Sequence, residues 1–240
     1  MKNKVDEREI FKIMFEEQDS LNKKLDKEWW NREDFNFPRA VIVELVELLN
    51  CYNWEWWKEK ENDIQNARIE LIDIWHFLMS WILKEEYYGK KLSLDNVIDK
   101  VKASYDKVKK DKKKYPIELS YVYDAIEDMI YHTVNYDLRR ATITFFEILD
   151  FLALDLFRFF AIYMGKKLLN KFRWEIEEKY GKYVKLWGNG IEDNMFMLTR
   201  VETFIEEENF CDLNDFLDRI EKDLSEFFNW YYKNTVLRKV

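Results

Sequence analysis

Residues 68–79 read RIELIDIWHFLM, and this stretch decides the fold that we expect for the chain. It is apolar on nearly every side of a helix, which is typical of a helix buried among others. Two carboxylates, those of Glu70 and Asp73, interrupt the apolar surface. Because they are three residues apart, both project from one side of the helix, about one turn from each other.

A second stretch upstream has the same design. Residues 40–49 read AVIVELVELL, and Glu44 and Glu47 are again three residues apart in an apolar segment. A buried charge is unfavourable unless it is paired with an opposite charge or binds a metal. The two stretches predict two neighbouring helices of antiparallel type, one with an ExxE pair and one with an ExxD pair.

The whole chain is poor in the residues that make turns. Its 240 residues include only 5 Gly and 2 Pro, whereas average usage would give about 17 Gly and about 12 Pro. Sandwiches, barrels and doubly wound sheets need many tight turns. We therefore expect an all-α, multi-helix bundle. No internal repeat or linker is visible, so we expect residues 1–240 to form a single domain with a mobile, Gly- and Lys-rich segment at about 165–195.

The spacing of apolar residues, together with residues that typically cap or end helices, predicts where the helices lie. The expected helices cover about residues 7–26, 38–52, 63–88, 93–114, 117–136, 138–164, 196–207 and 212–236. Asn36 and Asp63 are expected as caps, and Pro38 suits a first helical turn. Gly89 is expected to end the third helix, and Pro116 marks a further boundary. Loops are expected at 27–36 and 53–62, and residues 165–195 are expected to be irregular.

Charge, apolar stretches and cysteine content indicate which partners and which cellular location to expect. The net charge of −8 argues against binding a nucleic-acid polymer. The most apolar stretch, residues 143–164, contains four charged side chains, which argues against a membrane span. Cys51 and Cys211 form neither a zinc motif nor a disulfide framework. With no signal peptide visible at Met1, we expect a cytoplasmic protein.

The carboxylate pairs are candidates for metal binding. Four carboxylates on two adjacent helices would form an all-oxygen site, which suits Mg²⁺, with Mn²⁺ as a substitute. The alternative is two buried ion pairs, for which Arg68 could serve one acidic pair. A di-iron site needs two Glu-x-x-His motifs. The only histidines are His76, in a D-x-x-H sequence, and His132, so the sequence argues against di-iron chemistry.

These residues, in this order, resemble the dimeric, all-α dUTPases of the all-α nucleoside triphosphate pyrophosphatases. The ExxE pair is followed after 22 residues by ExxD, as in that family. Further motifs of the family have counterparts along the chain: EQDSLN at 17–22, WEWWK at 54–58, RIELIDIWHF at 68–77, GKKLLNKFR at 165–173, GKYVKLW at 181–187 and EDN at 192–194. The chain departs from the family pattern at Trp174, at 177–178 and by one inserted residue within 188–191.

The resemblance implies a role for each acidic residue. Glu44, Glu47, Glu70 and Asp73 would hold Mg²⁺, whose charge offsets that of a triphosphate and which activates water. That water would attack the α-phosphorus, and pyrophosphate would leave. Glu47 is expected to be the base or the group that orients the water, with Glu44 as the alternative.

The resemblance also implies which residues contact the nucleotide. Lys166, Asn170 and Arg173 have helical spacing and, with Lys179 and Lys185, would bind phosphate. Base and sugar contacts are expected from a second group: Gln18, Asn22, Trp57, His76, Phe77 and Asn194. An amide can match both the donor and the acceptor on the edge of uracil. Whether Trp54, Trp57 and Trp187 are core residues or pocket walls stays open at this point.

The function that these residues predict is Mg²⁺-dependent hydrolysis of dUTP, and also of dUDP, to dUMP by a homodimer in the cytoplasm. A rival within the same fold is a pyrophosphatase for another nucleotide, such as dCTP, because the acidic pairs would be identical. A rival of another class is a non-enzymatic helical protein that binds a partner and whose acidic pairs are structural.

Overall fold

The computed structural model describes residues 6–88, 93–111 and 119–236 of the chain. Within these ranges the chain is helical and forms no β-strand, apart from an isolated bridge between Leu186 and Glu192. The prediction of an all-α fold is therefore confirmed. The helices are α1 Glu7–Leu25, α2 Phe37–Asn50, α3 Ile64–Tyr87, α4 Leu94–Lys110, α5 Leu119–Val134, α6 Leu138–Phe151, α7 Leu156–Tyr180, α8 Asp193–Glu207 and α9 Leu213–Thr235.

The two helices with the acidic pairs begin at the predicted caps. The side chain of Asn36 accepts a hydrogen bond from the backbone N–H of Arg39 at 2.9 Å, and Pro38 lies in the first turn of α2. The side chain of Asp63 accepts from the N–H of Asn66 at 3.0 Å at the start of α3. These bonds satisfy N–H groups that have no partner within the helix. The predicted boundaries at Gly89 and Pro116 lie outside the described residues.

The helix predicted for 138–164 is wrong, because the chain breaks between α6 and α7. Ala153 has a φ of 51°, in the left-handed region. Its N–H bonds to the carbonyl of Asp150 at 3.0 Å, and the N–H of Leu154 bonds to the carbonyl of Leu149 at 3.4 Å. This is the pattern of a Schellman motif, which ends a helix by satisfying its last carbonyl groups.

The prediction that the whole of 165–195 is irregular is also wrong. Helix α7 continues through Gly165 as far as Tyr180, and α8 already begins at Asp193. The irregular part is confined to residues 181–192, where Gly181 and Gly190 have φ values of 74° and 76°. These two glycines occupy a conformation that other residues rarely adopt.

Contacts between Cα atoms group the described residues into two compact units, 6–155 and 156–236. That residues 1–240 act as one domain stays a prediction. In the first unit α2 packs against α3 and α5, α1 packs against α3 and α4, and α6 packs against α4 and α5.

The core of this unit is aromatic. Trp75 stacks on Phe145 with ring centroids 4.8 Å apart and meets the edge of Phe15 at 5.9 Å.

The α2–α3 pair is a helical hairpin. The N–H of Asp63 bonds to the carbonyl of Cys51 at 2.7 Å, so the loop between the helices returns the chain to the end of α2. Helix α3 is buried along most of its length, as expected. Helix α2 is not buried on all sides, because Val43 and Val46 are exposed. This difference corrects the expectation that both helices are surrounded.

The second unit consists of α7, α8 and α9, which pack against one another. Its core includes Phe172, Trp187, Phe228 and Tyr232, whose rings lie in mutual contact. Trp187 is therefore a core residue of this unit. Within the described part of the chain, no helix combines the length and apolarity that crossing a bilayer requires.

Gly165 allows α7 and α8 to approach closely. A methyl group on its Cα would lie 2.6 Å from Val201 Cγ2 and 2.7 Å from Met197 Sδ. Such distances are far below van der Waals contact, so any side chain at this position would push the two helices apart. Gly165 therefore has a packing role inside a helix and does not interrupt the chain.

We predict that Gly165→Ala lowers the free energy of unfolding by about 1–3 kcal/mol, the usual loss on overpacking a core. Helix propensity alone would favour Ala by about 1 kcal/mol, so the sign of the change separates the two effects. Urea unfolding measures it. In a Val201→Ala background the loss of unfolding free energy caused by Gly165→Ala should be smaller, because the branched side chain that the new methyl group would meet is gone. A stabilised Gly165→Ala variant contradicts the packing role.

Candidate active site

The α2–α3 hairpin brings three of the four predicted acidic ligands together. One carboxylate oxygen each from Glu44, Glu47 and Glu70 lies within 4.8 Å of the others. Glu70 is 8% exposed, Glu44 is half-buried and Glu47 is exposed. The acidic cluster therefore extends from the interior to the surface. Asp73 lies one turn further along α3, outside this group, and its role as a fourth ligand stays a prediction.

A cleft of about 280 Å³ lies beside the acidic cluster. Its walls come from the end of α2, the loop between the helices and the start of α3: Glu47, Asn50, Cys51, Lys60, Asp63, Asn66 and Glu70. Asn66 Nδ2 donates to Glu70 Oε1 at 3.0 Å and to Cys51 Sγ at 3.3 Å, which fixes the position of the carboxylate. The Lys60 ammonium donates to the carbonyl of Asn50 at the same cleft.

The chemistry of these groups fits a hard cation. The three clustered side chains offer carboxylate oxygens, which Mg²⁺ and Mn²⁺ prefer. Burial raises the pKa of the Cys51 thiol to about 11, so in the absence of a metal the thiol is protonated at neutral pH. Lewis-acid assistance to water or to a phosphate group is the chemistry that such an oxygen site can support.

A second set of predicted residues converges between α1 and α3. Gln18 and Asn22 on α1 and His76 on α3 are all buried. Gln18 Oε1 lies 2.8 Å from His76 Nδ1, and Gln18 Nε2 donates to Asn22 Oδ1 at 3.1 Å. The fourth member of the group is Ser80, whose Oγ accepts from Gln18 Nε2 at 2.9 Å and from Asn22 Nδ2 at 3.0 Å. We call these four residues the amide network.

The aromatic candidates lie in different environments. Phe77 is half-buried on α3, beside His76. Trp54 and Trp57 are exposed in the loop between α2 and α3, with their rings edge to face at 5.6 Å. Neither tryptophan is a core residue, so both remain candidates for a pocket wall.

The predicted phosphate residues belong to the second unit, and three of them converge near the start of α8. Lys166 Nζ donates to Asn194 Oδ1 at 3.2 Å, and Arg173 donates to Asn170 Oδ1 at 3.0 Å and to Asn194 Oδ1 at 3.0 Å. The expectation that Lys166, Asn170 and Arg173 share a helix face agrees with these contacts. The sixth base or sugar candidate, Asn194, lies among them.

Sequence reasoning did not foresee the main partner of Arg173. Its guanidinium makes a bidentate ion pair with Asp193, with N–O distances of 2.8 and 2.7 Å. Asp193 is fully buried and also accepts from the Tyr183 hydroxyl at 2.7 Å. Burial lowers and the bonds to Asp193 raise the pKa of Arg173, and the net shift is upward. Arg173 therefore stays a cation, held by an acid on α8.

The remaining two phosphate candidates stay apart from this group. Lys179 and Lys185 are exposed. The Lys179 ammonium lies over the Tyr180 ring, 5.2 Å from its centroid. The backbone carbonyl of Lys185 accepts a hydrogen bond from the N–H of Asp193 at 2.9 Å.

The residues that sequence reasoning missed have recognisable positions. Asn66 precedes Glu70 by four residues, and Ser80 follows His76 by four, so each faces the same side of α3 as its neighbour. Helical spacing from the predicted site residues would have pointed to both. Asp193 stands next to Asn194, in the EDN motif, but nothing in its spacing pairs it with Arg173.

Comparison with known protein families agrees with this geometry. A family model described as dUTPase matches residues 10–180. A search of curated protein sequences finds no match to the chain. The matched range includes both acidic pairs, the amide network and all of α7, and the helical fold is the one that the all-α dUTPases share. The chain therefore belongs to the dUTPase family and is an enzyme that hydrolyses dUTP.

Proposed function

We propose that the protein hydrolyses dUTP, and also dUDP, to dUMP in a Mg²⁺-dependent reaction, with pyrophosphate released from dUTP. The observation that carries this proposal is the cluster of Glu44, Glu47 and Glu70 oxygens within 4.8 Å of one another. Three carboxylates this close repel one another strongly, and a divalent cation between them removes the repulsion. A homodimer and a cytoplasmic location are proposed on the resemblance to the dimeric family.

The acidic residues have different roles in this proposal. Glu44, Glu47, Glu70 and Asp73 hold Mg²⁺, and Mn²⁺ can replace it. When bound, the cation supplies positive charge that offsets the charge of the phosphate oxygens and favours ionisation of water. Glu47 is exposed at the cleft and accepts the proton of the attacking water or orients that water, with Glu44 as the alternative. Asn66 orients Glu70 through the bond to its Oε1.

Helix α3 sets a distance that suits a nucleotide. Glu70 and His76 are six residues apart, which corresponds to about 9 Å along a helix axis. A nucleotide extends over a similar length from its α-phosphorus to its base. In the proposed complex the phosphate lies at the acidic cluster, and the base and sugar lie at Gln18, Asn22, His76 and Phe77, with Trp57 and Asn194 as further contacts.

The phosphate contacts are proposed for Lys166, Asn170, Arg173, Lys179 and Lys185. Arg173 already gives two N–H groups to Asp193 and others to Asn170 and Asn194. A phosphate at Arg173 must therefore replace one of these acceptors or use the remaining N–H. The exposed ammonium groups of Lys179 and Lys185 need no such exchange.

We predict that a panel of deoxy- and ribonucleotides with Mg²⁺ gives the highest kcat/KM for dUTP, followed by dUDP. A site built on hydrogen bonds to the base should disfavour dCTP by about 100-fold or more. Pyrophosphate release and dUMP formation are the measurements. Preference for dCTP refutes the dUTP specificity and leaves a pyrophosphatase of the same fold. Absence of hydrolysis across the panel favours the non-enzymatic alternative.

We predict that Glu70→Gln abolishes stabilisation by Mg²⁺ with a non-hydrolysable dUTP analogue. A ligand at a hundred times its Kd adds about 2.7 kcal/mol to the free energy of unfolding, and thermal unfolding of the wild type should show that gain. Without ligand the variant should be no less stable, because one of three crowded charges is gone. Glu226→Gln, an exposed change of equal charge on α9, is the control.

A Glu70→Gln variant that keeps the full Mg²⁺-dependent gain contradicts the proposed metal site. That result would favour the reading of the acidic pairs as structural ion pairs.

We predict that Glu47→Gln lowers kcat by about 10²- to 10⁴-fold, the usual contribution of a general base, while the protein stays folded. Steady-state hydrolysis of dUTP measures the loss, and circular dichroism checks the fold. Glu44→Gln tested in parallel separates the two candidates. If Glu47→Gln retains a rate close to that of the wild type, Glu47 is not the base.

A further inference from the structure

We infer that Ser80 is a positioning residue that holds the amides of Gln18 and Asn22 in the orientation that reads uracil and rejects cytosine. This inference rests on the proposed function, in which the two amides contact the base. It is carried by the amide network, a buried set of hydrogen bonds centred on one hydroxyl group. Ser80 is 1% exposed, and Gln18 and Asn22 are each 4% exposed.

The hydroxyl of Ser80 has one hydrogen to give. Its Oγ lies 3.0 Å from the carbonyl oxygen of His76, one turn back on α3, and 3.4 Å from Asn22 Oδ1. The shorter contact is the better hydrogen bond, so the hydrogen points to the carbonyl. The oxygen can then only accept. The groups that face it from Gln18 and Asn22, at 2.9 and 3.0 Å, must be NH₂ groups.

The orientation of Gln18 then determines which nitrogen of the neutral His76 ring carries the hydrogen. With Nε2 of Gln18 directed at Ser80, Oε1 points to His76 Nδ1 at 2.8 Å. An oxygen acceptor requires a hydrogen on the facing nitrogen, so Nδ1 carries it. A single hydroxyl on α3 thus sets two amide orientations and one imidazole tautomer.

The buried bonds leave part of the Asn22 amide for a ligand. An amide has two N–H groups and two oxygen lone pairs. Among the described residues, Asn22 gives one N–H to Ser80 and receives one bond at Oδ1, from Gln18 at 3.1 Å. One N–H and one oxygen lone pair remain, on a group that cannot turn over without losing its buried bonds.

This geometry bears on the choice between the two pyrimidines. Uracil presents a donor at N3 and an acceptor at O4, and cytosine presents the reverse at the same two positions. An amide can match either base, because turning it over exchanges its donor and acceptor. An amide reads one base alone only if something prevents the turn. Turning Asn22 over would set its NH₂ group against the NH₂ group of Gln18, donor facing donor. It would also set its oxygen against a Ser80 hydroxyl whose hydrogen is held by the His76 carbonyl, and both changes are unfavourable.

The test is the ratio of kcat/KM for dUTP to that for dCTP in Ser80→Ala. Loss of the buried bonds should lower this ratio about tenfold, the equivalent of one hydrogen bond. The change should appear in KM, with kcat for dUTP nearly unchanged, because the acidic cluster is intact. Thr133→Val is the matched control. It removes a buried hydroxyl whose one bond within the described part of the chain is to the carbonyl of Met129, four residues back, at 2.7 Å.

A second readout needs no substrate. The chain has only two histidines, so ¹⁵N-labelled histidine gives an assignable spectrum. Above neutral pH, wild-type His76 should be the Nδ1–H tautomer. In Ser80→Ala the Gln18 amide can rotate, and the Nε2–H tautomer should become populated. Thr133→Val should keep the wild-type pattern.

Two results would overturn the inference. One is a wild-type His76 ring with its hydrogen on Nε2, because the hydrogen bonds would then run in the opposite direction. The other is a folded Ser80→Ala protein whose ratio of dUTP to dCTP is unchanged. A wild-type protein that hydrolyses neither nucleotide refutes the proposed function instead, since the tautomer measurement still decides whether Ser80 orients the amides.

Discussion

The close approach of Glu44, Glu47 and Glu70 is the constraint on which the first unit depends. Like charges at this distance push apart, and a flexible segment would let them separate. The chain places them on two helices whose backbone positions are fixed by packing. Helix α3 is buried along most of its length. The loop that joins it to α2 is closed by the bond from Asp63 to Cys51. Packing of the two helices therefore holds the three carboxylates close to one another.

One face of α3 carries most of the polar groups that the proposed reaction needs. They follow one another at intervals of three or four residues: Asn66, Glu70, Asp73, His76, Ser80 and Lys84. The first three belong to the acidic end and the next two to the amide network. Lys84 donates to the carbonyls of Arg32 and Phe35, at 2.6 and 3.0 Å, and fixes the loop before α2. Burial lowers the pKa of Lys84, because removal from water disfavours the charged ammonium.

Much of this arrangement could be predicted, because helical spacing is a strong constraint. The carboxylates of Glu44, Glu47 and Glu70 were predicted to meet, and they do. Ser80 was missed, although its spacing of four residues from His76 places both on the same side of α3. The glycine signal was misread at Gly165, where the absence of a side chain permits close helix packing. The Arg173–Asp193 pair depends on how α7 meets α8, which local sequence does not determine.

The two ends of α3 have different physical requirements, and a single helix satisfies both. The acidic end must tolerate charge, so Glu47 is exposed where a cation and water can enter. The amide network must exclude water, because water would satisfy a turned amide as well as a correct one and remove the preference between bases. Burial of Gln18, Asn22 and Ser80 provides that exclusion. Since both ends belong to one helix, the distance between them is set by its rise per residue and does not vary with loop motion.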